Sequence, residues 1–275
     1  MPHAANRNRL AKVLRGTDSE LVTVGHAAGA LGLDRITAAK QLARWQDQGR
    51  LRRVRRGVYA PVPLTADVGD QIIEDPWTLV PELFGPAYIG GLSAAHHWDL
   101  TEQLFRTVFV YTARLVRQTT QTIQGIPFAL HHVQPKRLSF GLSTLWRGQL
   151  KLQVSDVHRT VTDMLDYPAA GGGIRHVADC LDAYLVRPDA DPKKLVEYTE
   201  HLDNGAVFKR LGFLTEYSGS SPWLVEACIE RLTQGYAKLD PTMPCPRVSR
   251  RWRLRLPEAW AGRKVASRPA HRADE

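Results

Sequence analysis

Cysteine is scarce in this chain. The 275 residues hold only Cys180, Cys228 and Cys245, widely spaced and without a CxxC pair. An odd, scattered set argues against a disulfide framework and a cysteine-based zinc module, and it suits a reducing compartment. Long apolar runs are missing too. No stretch reaches the roughly 18 residues that a spanning helix requires, and MPHAANRNRLAKV lacks the apolar core of a signal peptide. A cytoplasmic protein with no membrane partner is expected.

Chemistry-bearing motifs are equally thin. There is no GxxxxGK[ST] phosphate loop and no GxGxxG fingerprint, and Ser93 in GGLSAA lacks the GxSxG elbow. His96-His97 and His131-His132 have no ligand spacing such as HExxH. Neighbouring residues point apart on a helix and to opposite faces on a strand, so these histidines read as polar packing groups. Asp163 and Asp166 share a helix face without a partner motif, and solvation of that face is expected. Gly219-Ser220 resembles the opening of a nucleotidyltransferase motif, but the paired strand carboxylates that should follow are absent. No catalytic site, cofactor or metal site is legible.

Acidic residues are few at both ends of the chain. Residues 1–62 hold twelve Lys/Arg against four Asp/Glu, and residues 247–272 hold nine against one. Between them, residues 63–246 carry sixteen against twenty-one. The overall +9 charge and pI near 9.7 thus come from two basic ends around a mildly acidic middle. Two basic surfaces of this kind fit one polyanion, nucleic acid before membrane. Hydrophobic content of 43% is ordinary for a globular protein, and the length allows about two domains.

The stretch that organises the chain is DRITAAKQLARWQDQGRLRRVRRGVYA, residues 34–60. A first helix is expected over residues 6–15, with Gly16 as its stop. Thr23 can cap a short helix, GHAAGAL, and Gly32 supplies the turn, where φ > 0 is wanted. Asp34 can accept the free N–H groups of the next helix, expected from Arg35 to Gln48. Its inner face reads as Ile36, Ala39, Leu42 and Ala43. Thr37, Lys40, Gln41, Arg44 and Gln48 fall opposite, a set that reaches phosphates and base edges. Two short strands follow, Leu51–Val54 and Val58–Ala60, around an Arg55-Arg56-Gly57 turn. Arg52, Arg53, Arg55 and Arg56 on one hairpin need a counter-charge, which a phosphate backbone provides with release of condensed ions. The expectation is a winged helix-turn-helix that binds double-stranded DNA through Arg35, Thr37, Lys40, Gln41, Arg44 and the four wing arginines. A solvated basic surface is the plainer alternative.

After this head, taken as residues 1–62, comes a linker over 61–75 and a second domain over 63–257. Helices are expected at Trp77–Leu83 and from Gly91, then strands at Arg106–Tyr111, Gln118–Ile123, Ile126–Val133 and Gln149–Val154. Ser155-Asp156 can cap the helix VHRTVTDMLDY. Further helices are expected at about Ile174–Leu185, Pro192–Leu202, Ala206–Ser218 and Pro222–Gln234. The fold class is α+β: a winged helix-turn-helix, then a mixed α/β domain with a helical second half.

From Val248 the residues alternate. Val248, Arg250, Trp252, Leu254 and Leu256 share one side; Ser249, Arg251, Arg253 and Arg255 share the other. A strand with one basic side is expected. It is either a second nucleic-acid contact through Arg251, Arg253 and Arg255, or an edge kept soluble by arginine. Core packing accounts for most tryptophans, with stacking on a guanidinium or a base as the alternative for Trp252. Residues 258–275 are expected to be a largely disordered tail.

Five segments resemble AbiEi-type antitoxins. The opening stretch ending in QGRLRRVRRGVYAP resembles their winged-helix head. PAYIGGLSAAHHWDLTEQ, VSDVHRTVTDMLDYPAAGGGIRHVADCL, NGAVFKRLGFLTE and VSRRWRLRLP are similar to the segments that follow in that family. The resemblance spans about residues 20–257. It implies an antitoxin that represses its own toxin–antitoxin operon, with an N-terminal domain on promoter repeats and a C-terminal domain associated with antitoxicity. It also implies a nucleotidyltransferase-like toxin encoded next door. Two other readings compete: an antitoxin that binds its toxin directly through the acidic middle, and a DNA-targeted nuclease or nucleotidyltransferase.

Overall fold

The computed structural model describes residues 2–16, 21–62, 73 and 75–261, with side chains from residue 8 onward. The chain divides into two compact units. One comprises Met1–Tyr88, Arg106–His132 and Thr144–Gln153; the other comprises Ile89–Phe105, Val133–Ser143 and Val154–Glu275. Most of the expected linker, and the tail beyond residue 261, lie outside the described residues.

The head is a winged helix-turn-helix. It runs α1 (Pro2–Arg15), β1 (Val22–Thr23), α2 (Val24–Leu31), α3 (Arg35–Asp47), β2 (Leu51–Arg55) and β3 (Val58–Pro61). Thr23 caps α2 by accepting from the His26 amide, and Gly32 ends it at φ 65°, ψ 38°. In that left-handed conformation a side chain would be strained. The three strands form a sheet in the order β1-β3-β2. Their core consists of Val13, Val22, Ala27, Ala28, Ala38, Leu42, Trp45, Leu51 and Tyr59.

The buried face of α3 differs from the expected one. Ala38, Leu42 and Trp45 are the buried residues of α3, while Ile36 is 71% exposed and Ala43 is exposed. Both sets satisfy a 3.6-residue period. Trp45 decides between them, because its ring offers far more apolar area than Ile36 or Ala43, and it is 0% exposed.

Beyond the head, a 3-10 turn (Pro76–Leu79) leads into α4 (Val80–Phe84), β4 (Ala87–Ile89) and α5 (Gly91–His97). Next come β5 (Val108–Thr112), β6 (Thr120–Ile123), β7 (Ile126–His132), β8 (Leu142–Arg147) and β9 (Leu150–Ser155). They make a six-stranded sheet in the order β6-β7-β5-β4-β9-β8. β5 and β7 are parallel, Val108 opposite Phe128; β6 and β7 form an antiparallel hairpin, Ile123 opposite Ile126. β4 and β8 were not expected. β4 has three residues and lies against Gly/Pro punctuation, and β8 carries no clear apolar alternation: none of its residues is fully buried.

The remaining helices are α6 (Val157–Asp166), α7 (Ile174–Leu185), α8 (Pro192–Leu202), α9 (Gly205–Ser218) and α10 (Pro222–Ile229). They share one core centred on Val161, Met164, Val177, Leu181, Leu211, Leu214 and Trp252. Aspartates, asparagine and serine cap four of them: Asp156, Asp191, Asn204 and Ser221. Polar groups are buried in this unit as well. Arg159 and Asp163, 0% and 1% exposed at the side chain, form a 2.7 Å ion pair. The Arg159 guanidinium lies 3.9 Å from the Phe140 ring centroid. Asp166 accepts from Arg137 and from Asn204 at 2.5 and 2.7 Å. The expected solvation of Asp163 and Asp166 is therefore wrong. A buried carboxylate persists only when paired and hydrogen-bonded, and the arginine one turn upstream provides for Asp163.

The C-terminal stretch is also corrected. It is a hairpin, β11 (Arg247–Ser249) and β12 (Leu254–Leu256), with a turn between. β10 (Ala237–Lys238) lies parallel to β12, giving the order β10-β12-β11. Arg253 adopts φ 49°, which interrupts the alternation of a single strand. Glu258–Trp260 form a short 3-10 turn.

Candidate nucleic-acid interface

Helix α3 is presented by a tight three-residue turn from α2. Its N-cap, Asp34, accepts from the amides of Ile36 and Thr37, both at 2.9 Å. The Thr37 hydroxyl also donates to Asp34 at 2.6 Å. That side-chain bond, with the two amide bonds, holds the Asp34 carboxyl below its ordinary pKa. The cap thus stays anionic at the positive end of the helix dipole.

The other expected residues divide into distinct environments. Lys40 and Arg44 are exposed on the outer face, with Asp47 and Gln48 beyond them; Gln41 is half-buried at the edge. Arg35 is exposed, but its guanidinium leans back to within 3.5 Å of the place a Cβ on Gly25 would occupy. Thr37 is exposed, with its hydroxyl held by Asp34. Among the described residues no ion pair involves Arg35, Lys40, Arg44 or Arg56.

The wing arginines are not equivalent. Arg53 and Arg56 are exposed, and Arg52 is half-buried. Arg55 points away from this surface. Its guanidinium donates to the carbonyls of Leu83 (2.9 Å) and Glu82 (3.2 Å), near the C-terminal end of α4, where a cation is favoured. Burial, together with repulsion from Arg114, pushes its pKa down. Arg114 donates to the same Leu83 carbonyl. Gln124, at the β6–β7 turn, donates to the Arg53 carbonyl at 2.9 Å. The wing is therefore held at two points of its own unit. Sequence reasoning missed Gln124 altogether; no local pattern signals a partner 71 residues away.

Residues 8–62 match the family model described as transcriptional regulator, AbiEi antitoxin. The matched segment covers the end of α1 through the wing. The four later segments that resemble AbiEi-type antitoxins lie outside it. No curated protein matches the chain. A solved structure of the RV2827C protein from Mycobacterium tuberculosis has a similar fold. Its TM-score is 0.59 at 15% identity, over 90% of this chain and 91% of that one. The AbiEi-matched segment is thus the head just described.

The expected C-terminal contacts take other partners. Arg251 pairs with Glu216 at 2.7 Å, and Arg247 pairs with Glu258 at 2.6 Å. Arg253 donates to the carbonyls of Leu232 and Thr233. Arg255 alone of the three expected contacts stands exposed without a carboxylate partner among the described residues. Trp252 is 1% exposed, and its indole N–H donates to Glu216 at 2.5 Å. Core packing holds for it, and the Arg251 guanidinium lies 5.8 Å from its ring centroid; so buried a ring leaves no face for a base.

Of the histidine pairs, one member of each packs, while His96 and His132 are exposed. His97 lies edge-on to Trp98 and His131 to Tyr111, and His132 Nδ1 is 3.0 Å from the Arg114 carbonyl. Among the described residues no three His, Cys, Asp or Glu side chains are grouped to hold a metal ion. No described helix is long and apolar enough to cross a membrane. Gly219 serves as the left-handed C-cap of α9.

Proposed function

We propose that this protein is a double-stranded DNA-binding transcriptional repressor and antitoxin that autoregulates its own toxin–antitoxin promoter, and not an enzyme. The observation that carries the reading is the outer face of α3. Lys40 and Arg44 are exposed there, in a helix-turn-helix whose second helix is the one that enters the major groove in such folds. The AbiEi match over the same residues supports it. In this reading α3 reads base edges and phosphates, and Arg52, Arg53 and Arg56 meet the backbone beside it. Arg55 acts differently: it positions the wing. The C-terminal domain, residues 63–257, carries the antitoxic role, against a nucleotidyltransferase-like toxin, as the resemblance implies.

The test is a binding titration on a duplex from upstream of its own gene, against a scrambled duplex of equal length. Specific binding that is lost with Lys40→Ala and Arg44→Ala together supports the proposal. Equal binding to both duplexes, or no change in the double variant, overturns it.

A further inference from the structure

Ile36 is left over from both the core and the polar face of α3. It sits in the first turn, 71% exposed, although Ala38, Leu42 and Trp45 fill the core of the head without it. Lys40 and Ala43, four and seven residues on, are both exposed and continue the same line along the helix. The polar neighbour that a sequence reading would place on base edges, Thr37, has its hydroxyl engaged by the Asp34 cap at 2.6 Å. Arg35 leans back over α2. At the end of the helix where base contacts concentrate, the available side chain is therefore an isoleucine, with exposed Lys40 one turn on.

We infer that Ile36 is a specificity residue that contacts the C5-methyl group of a thymine in the major groove. The inference rests on the DNA-binding reading above and names what α3 recognises. An apolar side chain distinguishes thymine from the other bases by that methyl, the only apolar group exposed on a base edge in the major groove. The charge around it, Lys40 and Arg44 on the same helix, matches a polyanion rather than an apolar protein surface. Ala43, with only a methyl side chain, leaves room for the helix to approach the base edges.

The experiment replaces each thymidine of the promoter duplex, one at a time, with deoxyuridine. That change removes the methyl and leaves base pairing and the O4 acceptor intact. The expected result is one or a few thymidine positions where wild-type affinity falls about 3- to 10-fold, at or below the low end of what one good base contact supplies. Ile36→Ala should bind the thymidine and deoxyuridine duplexes equally at those positions. It should also keep the wild-type melting temperature and salt dependence, because Ile36 is exposed and uncharged. Two results overturn the inference differently. Specific promoter binding that ignores every deoxyuridine, or that Ile36→Ala leaves equally sensitive, removes the Ile36 assignment alone. Wild-type binding no tighter to the promoter than to the scrambled duplex removes the DNA-reading proposal, and the assignment with it.

Discussion

Two arginine-rich hairpins sit at the two ends of this chain, and they do different things. The wing, β2–β3, has Arg53 and Arg56 exposed, as Lys40 and Arg44 are on α3, and no ion pair involves Lys40, Arg44 or Arg56 among the described residues. The C-terminal hairpin, β11–β12, carries five arginines against the wing's four, but Arg247 and Arg251 pair with Glu258 and Glu216, and Arg253 binds carbonyls. Between the arginines of its turn, Trp252 enters the core. Arginine density alone does not identify a polyanion surface. What separates the two is how much counter-charge the protein itself supplies: Arg250 and Arg255 are exposed without an ion pair among the described residues, but Arg247 and Arg251 are paired, whereas no ion pair among the described residues involves Arg53 or Arg56. The wing is not uniform either: Arg55 is engaged by the α4 carbonyls, and Arg53 Nε donates to the Arg55 carbonyl at 3.4 Å.

The largest expected effect falls on the C-terminal hairpin. Trp252→Ala removes a ring that packs so closely on Gly212 that a Cβ there would meet it at 2.1 Å. It should cost about 3–5 kcal/mol of stability, measured by denaturant unfolding. A cost under about 1 kcal/mol would mean that the hairpin is not part of the core. Next comes the head. Lys40→Ala with Arg44→Ala should weaken promoter binding about 100-fold, since a base contact is worth roughly 1–3 kcal/mol, with unchanged melting.

How much of this contrast was legible in the sequence depends on the range of the forces involved. Thr23, Gly32, Asp34 and Asp156 were readable as caps and turns, because capping acts within four residues. The four expected strands were readable from local β-forming runs for the same reason. The inner face of α3 was misread because Ile36 and Trp45 offer competing periodic sets, and only the size of the buried ring decides. The arginine partners were not readable. Glu216 lies 35 residues from Arg251, and the Leu83 and Glu82 carbonyls lie 28 and 27 from Arg55. The same distance hid the pairing of Asp166 with Arg137, although the i,i+4 spacing of Arg159 and Asp163 was there to be seen.

Smaller effects sharpen the comparison further. Asp240, at the end of β10, accepts from the Ile174 and Thr242 amides and from the Thr242 hydroxyl. Burial pushes its carboxyl up, but these bonds outweigh burial and hold it below its ordinary value of 3.8. A carboxyl depressed on folding stabilises the protein above pH 3.8 and loses that contribution as pH falls through its lower folded value. Asp240→Asn should therefore cost about 2 kcal/mol at neutral pH, the range for hydrogen bonds to a charged group. The gap between variant and wild type should narrow in acid below pH 3.8. A gap that is constant with pH would contradict the ionised role. Arg251→Ala is the smallest change. Its partner pair is more than half exposed on the arginine side, so stability should drop by less than about 1 kcal/mol, and promoter affinity should not move.

The most direct test of the contrast is the salt dependence of promoter binding, read as the slope of log affinity against log salt. Each arginine or lysine on a phosphate contributes roughly one to that slope. The account predicts that Arg53→Ala with Arg56→Ala lowers the slope by about two, while Arg251→Ala with Arg255→Ala leaves it at the wild-type value. A slope that drops for the C-terminal pair and holds for the wing pair would contradict it.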